Sequence, residues 1–149
     1  HKDDIMRFIN AEKRSALYYE GIFNYWIGLS DDIPYSFLLT SEMYSNQNDI
    51  SKLHRKHLSI TGKTITIDFG IGNEDFLGKG LAAITLESFI GFYHDNFDQL
   101  ADTFFIDPDK NNPRAEHVYR KAGFEKVGEF DVVKGEFKGG VSYLMIKKI

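Results

Sequence analysis

The 149-residue sequence predicts a mixed α+β domain in which a mostly antiparallel sheet carries helices over its faces. Three observations point there. Short β-branched and aromatic runs with period-two alternation recur along the chain, as around Phe23, Tyr25, Ile27 and Leu29. A strand-like run, Thr64-Ile65-Thr66-Ile67-Asp68-Phe69-Gly70-Ile71, passes through a glycine turn into a helical stripe of Ala82, Leu86, Phe89 and Tyr93. The C-terminal third then repeats strand, helix, strand, strand. Size and hydrophobic content bound this to one domain around one core.

Taken in order, the chain begins at His1 rather than Met, which reads as a processed or truncated start. Asp3 and Asp4 are placed to cap a helix with Ile5, Phe8 and Ile9 inward. The alternating run over residues 23–29 ends at Ser30-Asp31-Asp32, and a second strand over residues 35–40 follows Pro34, so the two form an antiparallel hairpin. Residues 42–63 are a long polar interval containing Lys52, His54, Arg55, Lys56 and His57. The basic cluster reads as the solvated face of a short helix; a lid or a phosphate-facing patch is the alternative. His54 and His57 lack the further ligands that a zinc site needs, so no metal is expected.

The strand over residues 64–71 leads into Leu77-Gly78-Lys79-Gly80-Leu81-Ala82. A helix that opens on small residues offers several unpaired backbone N–H groups to a closely approaching phosphate. The pattern is neither Gly-x-Gly-x-x-Gly nor a Gly-Lys-Ser/Thr loop, which argues against a dinucleotide and a nucleoside triphosphate. Thr103-Phe104-Phe105-Ile106 is a further short strand, and two strands joined through a helix should be parallel. After the turn at Asp107-Pro108, Asn112 is placed as N-cap with Pro113 at the first helical position. Ala115, Val118, Tyr119 and Ala122 then form a stripe that ends at Gly123. Runs over residues 125–133 and 141–148 form a closing hairpin.

Charge and composition narrow the function. With 22 acidic against 18 basic residues the net charge is −4, a lean away from nucleic acid and toward a cationic partner. There is no Cys, so neither a disulfide scaffold nor a cysteine nucleophile is available. The longest run without Asp, Glu, Lys or Arg is ten residues, 21–30, too short to span a membrane, and nothing resembles a signal peptide. A soluble, cytoplasmic protein is expected.

Two of these segments resemble the GNAT superfamily of N-acetyltransferases. Leu77-Gly78-Lys79-Gly80-Leu81-Ala82 is similar to its acyl-CoA pyrophosphate loop, with Gly80 and Ala82 on the last two motif positions. Leu77 stands where the family usually has Arg or Gln, a departure shared with the aminoglycoside 6′-N-acetyltransferase and siderophore hydroxylysine acetyltransferase branch. The second segment, from Asp107 through Asn112 and Arg114-Ala115 to Tyr119-Arg120-Lys121-Ala122-Gly123-Phe124, follows about thirty residues later, in the family's order.

The resemblance implies acetyl transfer from acetyl-CoA to a primary amine, and a gap between splayed parallel strands that holds the pantetheine arm. It also implies an N-terminal strand and helix, both expected to be missing here. Asp68 matches the aminoglycoside-branch Asp and is the expected partner of the amine; a solvent-facing strand Asp is the plainer alternative. Tyr119 matches the tyrosine that donates to the CoA sulfur, a role compatible with core packing. Backbone groups of Phe69 and Ile71 are expected on the pantetheine. Those of Gly78, Lys79, Gly80, Leu81 and Ala82 are expected on the pyrophosphate, and the Asn112 side chain on the cofactor. Asp107 is expected to help bind a cationic acceptor, with Glu74, Asp75 and Asp109 around the cleft mouth, although turn chemistry accounts for Asp107 as well. Aminoglycoside, hydroxylysine-like and polyamine acceptors remain open, as does a non-catalytic acetyl-CoA sensor.

Overall fold

A computed structural model describes residues 6–15 and 22–149. One seven-stranded sheet contains β1 (Met6–Ser15), β2 (Ile22–Ser30), β3 (Ile33–Met43), β4 (Lys63–Ile71), β5 (Ala101–Ile106), β6 (Glu125–Asp131) and β7 (Val141–Lys148), in the spatial order β1-β2-β3-β4-β5-β7-β6. The helices are α1 (Lys52–His57), α2 (Leu81–Phe92) and α3 (Pro113–Lys121). Every neighbouring pair is antiparallel except β4–β5, which are parallel and connected through α2. Among the described residues, no helix is long and apolar enough to cross a membrane.

The helix expected on Ile5, Phe8 and Ile9 is corrected: Met6–Ser15 is an edge strand paired with β2, with Ile9 opposite Ile27. Asp3, Asp4 and Ile5 lie outside the described residues. Phe8 enters the core while Ile9 is 46% exposed, the opposite-face pattern of neighbouring strand residues. Two apolar residues at i and i+3 fit a helix from sequence, but the open edge of β2 decides otherwise. A strand therefore precedes the β2–β3 hairpin, where one was expected to be missing. The first helix among the described residues is α1.

The β2–β3 hairpin turns on Asp31 and Asp32, both at positive φ (47° and 66°), the conformation that a two-residue turn demands and that Asp tolerates. One residue on, the register slips: Gly28 faces Ser36 and Leu29 faces Pro34, which leaves Tyr35 as a bulge in β3.

Leu86, Phe89, Ile90 and Tyr93 of the α2 segment pack on Trp26, Leu38, Ile65, Ile67, Phe104 and Ile106, joined by Ala122 and Phe124 at the end of α3. Trp26 Nε1 donates to Thr40 Oγ1 at 2.9 Å, so its buried N–H is satisfied. A smaller core on the opposite face sets Leu53 of α1 and Leu58 at its C-cap against Phe105, Leu144 and Ile146. Reading the basic cluster as solvated holds for Lys52, Arg55 and Lys56 but fails for His54. His54 is 7% exposed, with its ring 4.4 Å from Phe130 and 5.8 Å from Phe105 between centroids. Ser51 caps α1, accepting from the His54 N–H and bonding its Nδ1 at 2.6 Å.

Burial pulls the His54 imidazole from 6.5 down to about 4. The unfolded chain therefore takes up a proton between those values that the native chain refuses. The stability contributed by keeping this ring neutral is complete above pH 6.5 and is lost progressively as pH falls toward 4, by at most about 3 kcal/mol. Replacing His54→Phe should flatten this slope in urea melts between about pH 7 and pH 4.5; an undiminished slope would assign the acid sensitivity to other groups.

Candidate active site

The site is built where β4 and β5 part. Their parallel pairing runs from Lys63↔Ala101 to Thr66↔Phe105 and stops, although β4 continues to Ile71 and β5 to Ile106. Each strand then follows its other neighbour. β4 stays on β3 as far as Ser36↔Ile71, after which the Gly72 N–H donates to the Tyr35 carbonyl at 2.9 Å. Past Ile106, the chain keeps to β7: Tyr143 N–H donates to Pro108 O, Asp109 bridges Ser142, and Lys110 N–H donates to Val141 O. Pro108 has no N–H with which to rejoin β4. By the antiparallel alternation that the Gly72–Tyr35 bond sets, Phe69 and Ile71 turn their backbone groups away from β3, toward the side β5 has left.

The glycine loop lies at the same end of the sheet. Gly78 and Gly80 have φ of 72° and 70°, so backbone conformation is what demands glycine there. Gly80 is the N-cap of α2 and supplies no side-chain hydrogen bond, so the first-turn N–H groups stay uncapped. Leu81 is buried, which leaves only its backbone to meet a ligand; Lys79 is exposed beside it. This cradle fits an anionic group, and the free edge of β4 fits an extended amide-bearing chain.

Strand alternation turns Ile65, Ile67 and Phe69 toward α2, and Asp68 to the other face. Along β5, Phe104 and Ile106 face α2 while Phe105 faces α1, so Asp107 shares the face of Asp68. Each stands two residues beyond the last pair, Thr66↔Phe105, Asp68 within β4 and Asp107 just past the end of β5. Tyr119 approaches from the α3 side, half-buried against the main core with its ring 6.4 Å from Phe124. The three groups sense one another electrostatically. Burial raises the Asp68 carboxyl. Burial, then the charge of Asp68, pushes Asp107 up to about 7. Burial, then Asp68 and Asp107, pushes the Tyr119 phenol up to about 12. Both carboxylates remain open to solvent at residue level, so water reaching the gap screens part of these effects.

The other expected residues divide. Asn112 accepts from the Ala115 N–H at 3.1 Å as the α3 cap, which leaves its NH₂ as a donor. Asp109 accepts from the Asn111 N–H, a turn role. Glu74 and Asp75 line an open cavity of about 630 Å³ that begins at Gly72, just past the end of β4, with Ile27, Pro34 and Phe37. Among the described residues, no group of three or more His, Asp or Glu is placed to hold a metal. Tyr35, which anchors both ends of the glycine loop, carried no sequence signal, because its bulge position depends on pairing with β2.

The cleft between the parting parallel strands, with a glycine turn leading into a helix at its mouth, is the feature on which the comparison with known families bears. The family model for the acetyltransferase (GNAT) domain matches residues 10–132, and the chain belongs to that family. No curated protein matches it by sequence. An aminoglycoside N(6′)acetyltransferase from Legionella pneumophila subsp. pneumophila str. Philadelphia 1 is 29% identical with a TM-score of 0.63, over 85% of this chain and 63% of that one. The aminoglycoside acetyltransferase AAC(6′)-Ib, in complex with paromomycin and acetyl-CoA, is 21% identical with a TM-score of 0.65, over 85% and 64%. A GNAT-family acetyltransferase from Streptococcus pneumoniae is 18% identical with a TM-score of 0.58, over 85% and 66%. The chain thus spans under two-thirds of each of these proteins.

If Asp68 and Asp107 repel across the gap, Asp68→Asn should lower the Asp107 pKa below about 7 without restoring an ordinary carboxylate value, since burial persists. A carboxyl ¹³C NMR titration reads this directly, and an Asp107 midpoint that does not move would show the two groups to be uncoupled.

Proposed function

We propose that this chain transfers the acetyl group of acetyl-CoA to a primary amine of a small cationic acceptor of the aminoglycoside kind. The observation that supports this reading is the parting of β4 from β5 after Thr66↔Phe105, with Asp68 and Asp107 each two residues beyond it and Tyr119 near enough to be influenced by both. Acetyl-CoA supplies an activated thioester carbonyl, so the chain's own work is to bind, orient and move protons. The β4 edge at Phe69 and Ile71 receives the pantetheine amides as a sheet receives another strand. Gly78, Lys79, Gly80, Leu81 and Ala82 receive the pyrophosphate, and the Asn112 NH₂ gives a further cofactor contact.

An alkyl amine with a pKa of about 10.4 is roughly 0.1% neutral at pH 7.4, so its proton must be taken up locally. Asp68 holds the ammonium. Asp107, lifted toward 7, is suited to accept its proton. The amine nitrogen would then bond to the acetyl carbon as the carbon–sulfur bond breaks and its electron pair leaves on sulfur; the second nitrogen proton, lost as the amide forms, reaches sulfur by way of the Tyr119 hydroxyl, so that CoA leaves as the thiol. The Tyr119 phenol stays protonated at neutral pH and hydrogen-bonds the sulfur as charge develops there.

A thiol-release assay across an amine panel tests the reading. An aminoglycoside or polyamine should be acetylated faster than a zwitterionic amino acid, with kcat/KM falling as salt rises. Asp68→Asn should slow the cation while CoA still binds. A neutral or anionic amine preferred without salt dependence would refute the cationic acceptor.

Tyr119→Phe separates catalyst from sensor. Its kcat should fall by about 10²-fold with CoA affinity nearly unchanged. A rate equal to that of the unsubstituted protein would reduce Tyr119 to a packing residue.

A further inference from the structure

We infer that Tyr35 is the positioning residue that sets the phosphate-binding turn against the β4 edge, a role resting on the proposed seating of the CoA pyrophosphate at residues 78–82. Tyr35 is 2% exposed and grips the segment between β4 and α2 at three points. At its start, the Tyr35 carbonyl accepts from the N–H groups of Gly72 (2.9 Å) and Asn73 (3.3 Å). In its middle, the Tyr35 ring stacks on Phe76 at 4.8 Å and 22°. At its end, the Tyr35 hydroxyl lies 2.6 Å from Thr85 Oγ1, which itself donates to the Leu81 carbonyl at 2.7 Å.

A hydroxyl has one proton to give, and with the Thr85 proton on Leu81 O, Tyr35 is the donor across the 2.6 Å contact to Thr85, a far stronger acceptor than Met6 Sδ, which lies 3.7 Å from the same hydroxyl. The relay therefore runs from Tyr35 O–H to Thr85 Oγ1 and from Thr85 O–H to the carbonyl of the first residue of α2. Thr85 is fully buried, so water cannot replace either bond. Leu81 belongs to the turn whose N–H groups Gly80 leaves uncapped, and holding its carbonyl fixes the direction in which those groups point. The β3 bulge is what makes this reach available, because it frees Tyr35 from the β2 register. One side chain thus sets the spacing between the edge that would hold the pantetheine and the turn that would hold the pyrophosphate.

Calorimetric binding of CoA and of pantetheine, which lacks the pyrophosphate, tests this. Tyr35→Phe keeps the ring and carbonyl but removes the donor, and Thr85→Val removes the same relay from its other end. Each should weaken CoA by about tenfold, the scale of one net hydrogen bond, and leave pantetheine unchanged. The double variant should be no weaker than the weaker single one, since both break one relay. Thr85→Ser, which keeps the hydroxyl, should recover the affinity lost in Thr85→Val. Unaltered CoA affinity in Tyr35→Phe, or equal losses for CoA and pantetheine, would overturn the assignment while leaving the cofactor reading intact. Failure of the unsubstituted protein to bind CoA would overturn both.

Discussion

The separation of β4 from β5 is the constraint on which the rest of the site depends. A parallel pair inside a sheet normally continues as far as both strands run, because unpaired backbone groups are costly when buried. Here each strand has a second partner that outlasts the shared ladder. β4 is held by β3 along its whole length, and the chain beyond β5 is held by β7 through Pro108, Asp109 and Lys110. The gap is therefore a consequence of two well-paired half-sheets. It opens a strand edge to ligand without leaving either half short of hydrogen bonds on its other side.

The electrostatics follow from that gap. Asp68 and Asp107 occupy equivalent steps past the last β4–β5 pair, so the geometry that opens the cleft also brings two like charges together. Desolvation against the sheet raises both carboxyls and the charge of Asp68 adds to the rise at Asp107, effects that solvent reaching these exposed residues partly screens. Two negative charges held close are relieved by a bound cation, which is why an ammonium suits this place better than a carboxylate would. Tyr119, raised by its own burial and then by the same two carboxylates, is kept as a neutral donor on α3.

Packing is concentrated away from the candidate binding loop. The main core beneath α2 and the smaller one beneath α1 lie on opposite faces of the sheet, and α1 is locked by a buried neutral imidazole between two aromatic rings. The glycine loop is exposed and its glycines adopt left-handed conformations, so it contributes little packing of its own. Its position is imposed from beneath, by Tyr35 and by the buried first turn of α2.

Much of the fold was legible from local pattern. Alternation marked β2, β3, β6 and β7; Asn112, Pro113 and Gly123 marked α3, and all three occupy the expected capping positions, Gly123 at a φ of 97°. These signals are local because turn and cap chemistry involves residues only a few positions apart. The glycine turn was legible for the same reason, and so was the presence of a lone carboxylate, Asp68, within an otherwise apolar strand. The edge strand β1 was not, because Phe8 and Ile9 suit either period and only pairing with β2 separates them. Nor was the burial of His54, since the rings of Phe105 and Phe130 that enclose it are distant in sequence. The coupling of Asp68 to Asp107 and Tyr119, and the reach of Tyr35 to Thr85, depend on where ladders stop and on one bulge. Both are properties of register between strands, and register is decided by the assembled sheet.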